Sequence, residues 1–232
     1  MFVKICANTN LADAQLAAEL GADAVGFVFA PSKRRVSVEE VGAITARLPS
    51  SVATVGVFAM QDAEEIVSAV RGCGLTGVQL HSKANPALVA ELNCAFEGRV
   101  QLIQLVPYAI DAADRDAADA QFEMALRAAL SMPAISAVLL DAAREGKSGG
   151  LGAVFDWSHA AELVRRGYEA AAGRDLPKLI VAGGLRAENV GEAIAALRPW
   201  GVDVASGVES EPGKKDAERL RAFLSAARTR AA

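Results

Sequence analysis

The amino-acid sequence predicts an α/β fold, a closed parallel eight-stranded (β/α)8 or TIM barrel, and three observations predict it. A short β-branched run, a loop bearing Gly, Ser, Asn or Asp, and an amphipathic stretch ending near glycine recur eight times along the chain. The 232 residues divide into eight units of about 29, near the roughly 30 that one β-α-β step needs. Apolar residues make up 52% of the sequence but aromatics only 5%, so Ala, Val and Leu must fill the interior. An even count with no unpaired strand favours closure over an open doubly wound sheet, the alternative architecture.

Taken in order, Phe2 to Cys6 reads as the first strand, and Asn10 is placed to cap a helix over 11–20 with Asp13 in its acidic first turn and Gly21 at its left-handed end. A strand at 24–29 precedes a helix at 38–48, one at 52–58 a helix at 62–71, and one at 76–81 a helix at 86–95. The second half repeats the order: strand 100–106 and helix 114–130, strand 136–141 and helix 158–172, strand 178–182 and helix 186–197, strand 202–205 and helix 215–229. Gly21-Ala22-Asp23-Ala24-Val25, Gly74-Leu75-Thr76-Gly77-Val78 and Gly201-Val202-Asp203-Val204 each read as helix stop, turn and strand start. Pro-rich linkers, charge blocks and low-complexity stretches are absent, so 1–232 is expected to be one domain.

The formal net charge of -4 and the lack of a basic stripe argue against a nucleic-acid partner. No apolar run reaches the roughly 18 residues that span a bilayer, and Met1-Phe2-Val3-Lys4 does not open a signal peptide, so a cytoplasmic protein with no membrane partner is expected. Cys6, Cys73 and Cys94 are too widely spaced for a metal or redox motif and are expected to be reduced thiols.

In such a barrel the chemistry belongs to the C-terminal ends of the strands, here Cys6, Phe29, Phe58, His81, Val106, Asp141, Ala182 and Ala205. Cys6 and Asp141 stand out as a base and an acid, with Ala7-Asn8-Thr9 and the segment 142–153 as loops able to cover a ligand. The plain readings are a buried apolar cysteine and a loop-initiating aspartate. Gly183-Gly184 after the seventh strand and Ser206-Gly207 after the eighth bracket the usual phosphate position of this fold, and Gly149-Gly150-Leu151-Gly152 adds further amides; the plain reading is turn glycines. Gly146-Lys147-Ser148 looks like the end of a nucleotide-binding loop but lacks a glycine at 141, so no nucleotide is expected. His81 and His159 have no partner at ligand spacing, and no metal is expected. Lys4, two residues before Cys6, should also point inward, and closure sets the eighth strand beside the first, so Lys4 is expected to pair with Asp203.

Blocks spread over almost the whole chain carry a resemblance: Val3-Lys4-Ile5-Cys6, Gly21 to Phe29, Ser32-Lys33-Arg34-Arg35-Val36-Ser37, Val55-Gly56-Val57-Phe58, Val78-Gln79-Leu80-His81, Leu139-Leu140-Asp141, Phe155-Asp156-Trp157, Ala182-Gly183-Gly184-Leu185 with Glu188-Asn189-Val190, and Gly201-Val202-Asp203-Val204 with Ser206-Gly207-Val208-Glu209 and Pro212-Gly213-Lys214-Lys215-Asp216. In this order they resemble the signature blocks of the phosphoribosylanthranilate isomerase family. The resemblance implies a cofactor-free Amadori rearrangement of an N-linked ribosylamine 5-phosphate in tryptophan biosynthesis, on a monomer or homodimer. It implies Asp141 as general acid, Cys6 as general base and Arg34 as the holder of the anthranilate carboxylate. Gln79, His81, Gly150, Gly152, Gly183, Gly184, Ser206 and Gly207 are the further substrate-binding residues it implies, with Lys4 and Asp203 in support.

An acid with an ordinary pKa near 3.9 must be raised by burial to donate a proton, and a thiol near 8.5 must be shifted to accept one. The chain departs from the family pattern at Ala7-Asn8, Met60, Ser82, Gln104, Leu151 and Ala205, which are expected to gather near the site. Two other functions fit: a family member acting on a different aminosugar phosphate, and a non-catalytic phosphometabolite-binding module.

Overall fold

The computed structural model describes residues 1–59, 61–144, 147–148, 155–171 and 175–229. Eight strands form the wall: β1 (Phe2–Ile5), β2 (Ala24–Val28), β3 (Ala53–Phe58), β4 (Gly77–Leu80), β5 (Gln101–Ala109), β6 (Ile135–Arg144), β7 (Lys178–Val181) and β8 (Gly201–Val204). They pair in parallel in the order β5-β4-β3-β2-β1-β8-β7-β6, and β5 also pairs with β6, which closes the sheet into a barrel. Around it lie α1 (Leu11–Glu19), α2 (Val38–Thr45), α3 (Ala63–Cys73), α4 (Pro86–Ala95), α5 (Arg115–Leu130), α6 (Trp157–Ala170), α7 (Val190–Leu197) and α8 (Ala217–Thr229). Among the described residues no helix is long and apolar enough to cross a membrane.

Alternation along the strands sorts side chains into two cores. Val3, Ile5, Val25, Phe27, Val78, Leu102, Val138 and Val181 face the helices and join one large cluster with them. Ala24, Val55, Ile103, Leu105, Ala137, Leu139, Ile180 and Ala182 fill the barrel interior. Branched aliphatic side chains and alanines alternate there, the mixture of large and small residues that fills the inside of a closed barrel.

Local chemistry fixes the helix starts. Asn10 caps α1 by accepting from the Asp13 N–H at 2.9 Å, and Gly21 follows that helix at a φ of 90°. Ser37 and Glu40 form a reciprocal capping box on α2, and Asp62 and Glu65 form another on α3.

Among the expected boundaries that the structure corrects, four bear on the site. β5 and β6 run past 106 and 141, because Pro107–Ala109 continue to pair with Asp141–Ala143, and β6 then turns into a short antiparallel strand, Lys147–Ser148. Val106 and Asp141 therefore lie within strands, not at their ends. α7 begins at Val190 and not near 186, because Asn189 instead folds the chain into a turn, accepting from the Arg186 N–H at 2.7 Å and donating to the Gly184 carbonyl at 3.0 Å. α8 begins at Ala217 and not 215, because Lys214–Lys215 pairs in a small hairpin with Glu209–Glu211.

Candidate active site

A cavity of about 420 Å³ opens at the C-terminal end of the barrel. Cys6, Arg34, Gln79, His81, Asp141, Gly183, Gly184, Ser206 and Gly207 line it, together with Asp203. Gly150 and Gly152, with the rest of the strand-six glycine run, lie outside the described residues, as does Met60.

The floor is built by β1 and its neighbours. Lys4 and Cys6 share the inward parity of β1, and Asp203 is the in-register partner of Lys4 on β8. The fully buried Lys4 ammonium donates to Asp203 Oδ1 at 3.0 Å and to Gln79 Oε1 at 2.9 Å. Burial disfavours that charge, but Asp203 and Cys6 together outweigh it and hold the lysine above its ordinary pKa. Burial likewise pushes the Cys6 thiol above its usual value, against the pull of Lys4. Gly26 gives the sulfur its space: a Cβ there would lie 2.8 Å from Cys6 Sγ and 3.2 Å from Lys4 Cε.

Asp141 enters the same cavity from β6, with the inward parity of Ala137 and Leu139. Burial raises its carboxyl, the Asp203 charge adds to the rise, and the Ala142 backbone and Lys4 oppose it, leaving a pKa of about 7. At neutral pH a substantial fraction of Asp141 is therefore protonated, in the same cavity as the Cys6 thiol.

The loops after β7 and β8 supply the third wall. Gly183 and Gly184 both have positive φ, 85° and 62°. The chain after β8 makes a short 3-10 turn, Ser206–Val208, which approaches the first loop so closely that a Cβ on Gly207 would sit 1.9 Å from the Leu185 carbonyl oxygen. The residues of these two loops that line the cavity carry no basic side chain, and such an edge of small residues suits a phosphate met by backbone amides.

Arg34 reaches the cavity from the loop after β2, and one edge of its guanidinium is occupied. Nε donates to Glu209 Oε1 at 2.9 Å and Oε2 at 3.0 Å, and Nη2 donates to Oε2 at 2.6 Å. Glu209 also accepts from Lys215 Nζ at 3.2 Å, and Lys215 donates to the Cys6 carbonyl at 2.5 Å. Burial works against the Glu209 carboxylate, yet Arg34 and Lys215 hold it below the usual range. Burial draws Lys215 below the ordinary lysine value, against the pull of Glu209. Sequence reasoning gave neither residue a role. Their signal was the six-residue spacing across Pro212-Gly213, which makes them cross-strand partners.

The departures from the family pattern fall in different places. Ala7 and Ala205 line the cavity. Ala7 adopts a φ of 61°, a left-handed conformation that glycine takes with less strain than alanine. Asn8 is buried beneath the loop, donating to the carbonyls of Ile5 at 2.8 Å and Gly26 at 3.3 Å. Gln104 lies on the helix-facing side of β5, between the inward Ile103 and Leu105, and donates to the Ser82 carbonyl at 2.8 Å. The expectation that Gln104 belongs near the site is therefore corrected: β5 alternation turns it away.

Comparison with known proteins fits this geometry. The family model described as N-(5'phosphoribosyl)anthranilate (PRA) isomerase matches residues 3–226. The N-(5'-phosphoribosyl)anthranilate isomerase of Symbiobacterium thermophilum is 39% identical over 98% of both chains. The phosphoribosyl anthranilate isomerase structure from Thermotoga maritima superposes with a TM-score of 0.80 at 35% identity over 99% of both chains. A phosphoribosyl anthranilate isomerase solved in complex with reduced 1-(o-carboxyphenylamino)-1-deoxyribulose 5-phosphate gives 0.78 at 34% identity, again over 99% of both. With its model matched almost end to end and its acid, thiol and glycine loops around one cavity, the chain belongs to the N-(5'-phosphoribosyl)anthranilate isomerase family.

Proposed function

We propose that this protein catalyses the Amadori rearrangement of N-(5'-phosphoribosyl)anthranilate to 1-(2-carboxyphenylamino)-1-deoxyribulose 5-phosphate, the isomerisation step of tryptophan biosynthesis. The observation that carries the reading is a carboxyl with a pKa of about 7 and a buried thiol on the wall of one cavity. In the first step Asp141 gives its proton to the furanose ring oxygen, the C1–O bond breaks, and the nitrogen lone pair forms a protonated Schiff base. In the second step Cys6, as thiolate, takes the proton from C2, and the electrons move into the iminium to give an enolamine. Tautomerisation of the enolamine yields the ketone product. The cationic Schiff base acidifies the C2 proton and favours the thiolate, opposing the burial that disfavours it.

The remaining groups sort by charge. Gly183, Gly184, Ser206 and Gly207 offer amides to the 5-phosphate, and Arg34 offers a guanidinium fork to the anthranilate carboxylate. His81 and Gln79 line the same cavity, and Gln79 also fixes Lys4. The ligand bound in the related complex, an aminodeoxyribulose 5-phosphate with a ring carboxylate, has both of these ends.

The test is turnover of phosphoribosylanthranilate by the purified protein, followed as loss of anthranilate-type fluorescence and paired with growth rescue of an isomerase-deficient tryptophan auxotroph. Signal loss with rescue is the expected outcome. A stable signal, with turnover of another aminosugar phosphate, would assign the protein to a different substrate.

A further inference from the structure

Behind Arg34 lies a buried chain of charges that does not line the cavity. Lys215 is fully buried, Glu209 is 3% exposed and Arg34 is 16% exposed, and of the three only Arg34 reaches the pocket wall. Lys215 Nζ faces three acceptors: the carbonyls of Cys6 at 2.5 Å and Ala205 at 3.4 Å, and Glu209 Oε1 at 3.2 Å. Three acceptors around one nitrogen require three N–H donors, which only the ammonium provides. The Glu209 carboxylate in turn accepts from Lys215, from the Gly213 N–H at 3.3 Å and from the Nε edge of Arg34.

A guanidinium has two edges able to make a two-point contact with a carboxylate, one through Nε and Nη2 and one through the two terminal nitrogens. Glu209 takes the first. Among the described residues Nη1 donates to nothing, and Nη2 has a second N–H beyond the one given to Glu209. The cluster holds two cations and one anion, so it carries one positive charge that a monoanion on the free edge would neutralise. Charges then alternate from Lys215 through Glu209 and Arg34 to the ligand.

We propose that Glu209 is the positioning residue for the aglycone end of the site: it grips one edge of Arg34 so that the other edge presents two N–H donors to the ring carboxylate of the substrate. Lys215 ties the same carboxylate to the Cys6 backbone, so the anion-binding arginine and the thiol-bearing strand share one anchor. This rests on the proposed substrate, and Glu209 itself touches none of it.

The experiment separates positioning from stability by varying the ligand. Calorimetric titration measures the reduced 1-(o-carboxyphenylamino)-1-deoxyribulose 5-phosphate and its phenylamino analogue lacking the carboxylate, on wild type, Glu209→Gln and the charge-retaining Glu209→Asp. The ratio of the two affinities reads the carboxylate contact alone. We expect that ratio to fall about tenfold or more in Glu209→Gln and about threefold in Glu209→Asp, the scale of a weakened charge-assisted fork. The analogue itself should bind each variant within about twofold of wild type. Equal weakening of both ligands, or an unchanged ratio in either variant, would overturn the proposal. Glu209→Asp keeps the anion between the two cations, so it retains the fold if Glu209→Gln does not. Because the readout is binding, wild type that fails to turn over phosphoribosylanthranilate would refute the proposed reaction, while the affinity ratio still decides the role of Glu209.

Discussion

Asp141 shows how one residue acquires its function from its surroundings. Burial and the Asp203 charge raise it to about 7, and burial raises Cys6 as well, so the reactive combination of protonated Asp141 and ionised Cys6 is the minor one at neutral pH. Its population climbs about tenfold per pH unit below 7, then holds level until the thiol titrates, because above 7 the loss of acid offsets the gain of thiolate. The expected kcat/KM profile therefore rises to a bend near pH 7 and stays flat to beyond pH 8; a decline between 7 and 8 would contradict it. The same shift makes a stability statement. Below the unfolded-state value near 4 both forms are protonated, and as pH rises from there through 7 the unfolded chain releases the proton first, so stability falls. Asp141→Asn should then raise stability at pH 8 by a few kcal/mol, on the order set by a three-unit shift, with the gain vanishing near pH 4 in urea titrations. Ala7 is the second case: its left-handed backbone makes Ala7→Gly neutral or stabilising by up to about 1 kcal/mol in the same measurement, whereas a comparable loss would show that the methyl group is needed.

Among the elements, the phosphate-facing loops and the helix caps make different demands. A methyl group on Gly207 would meet backbone at 1.9 Å, so Gly207→Ala must displace one loop from the other. We predict a KM increase of about tenfold or more with little change in Tm, since the loop, not the core, absorbs the shift. Asp62→Ala should do the reverse, costing about 1 kcal/mol through loss of the α3 capping box while leaving turnover within twofold. Part of this scale was legible in the sequence: Asn10 announces its helix, and Gly21 and Gly74 end theirs. The ends of β5 and β6 were not, because Ala142-Ala143-Arg144 has weak strand propensity and is extended by pairing with Tyr108–Ala109 and with Lys147–Ser148. The Glu209–Lys215 hairpin was hidden for a related reason. Its strands have no hydrophobic alternation, and what they position is an arginine 175 residues earlier in the chain.

Across the whole molecule, closure is what brings the chemistry together. Cys6 and Asp141 are far apart in sequence, yet β1 and β6 face one cavity because β5 meets β6. Closure also sets β8 beside β1, and Lys4 spans the interior from Asp203 to Gln79 on β4. Removing the ammonium should leave a buried carboxylate unpaired, so Lys4→Met is expected to cost about 3–5 kcal/mol, and adding Asp203→Asn should restore most of it. Additive losses in the double variant would show that the two groups act independently. The number of strands, their parallel order and the pairing of β1 with β8 follow from the repeat and the inward parity of Lys4; the engagement of Arg34 by Glu209 depends on loop geometry that no local pattern encodes. Proton transfer by two side chains at the barrel mouth is the central step of the proposed reaction, and single-turnover kinetics with phosphoribosylanthranilate on wild type, Cys6→Ala and Asp141→Asn test it most directly. Each substitution should slow the chemical step by about 10²–10⁴-fold with near-wild-type substrate affinity, whereas a variant retaining a rate within tenfold of wild type would contradict the assignment.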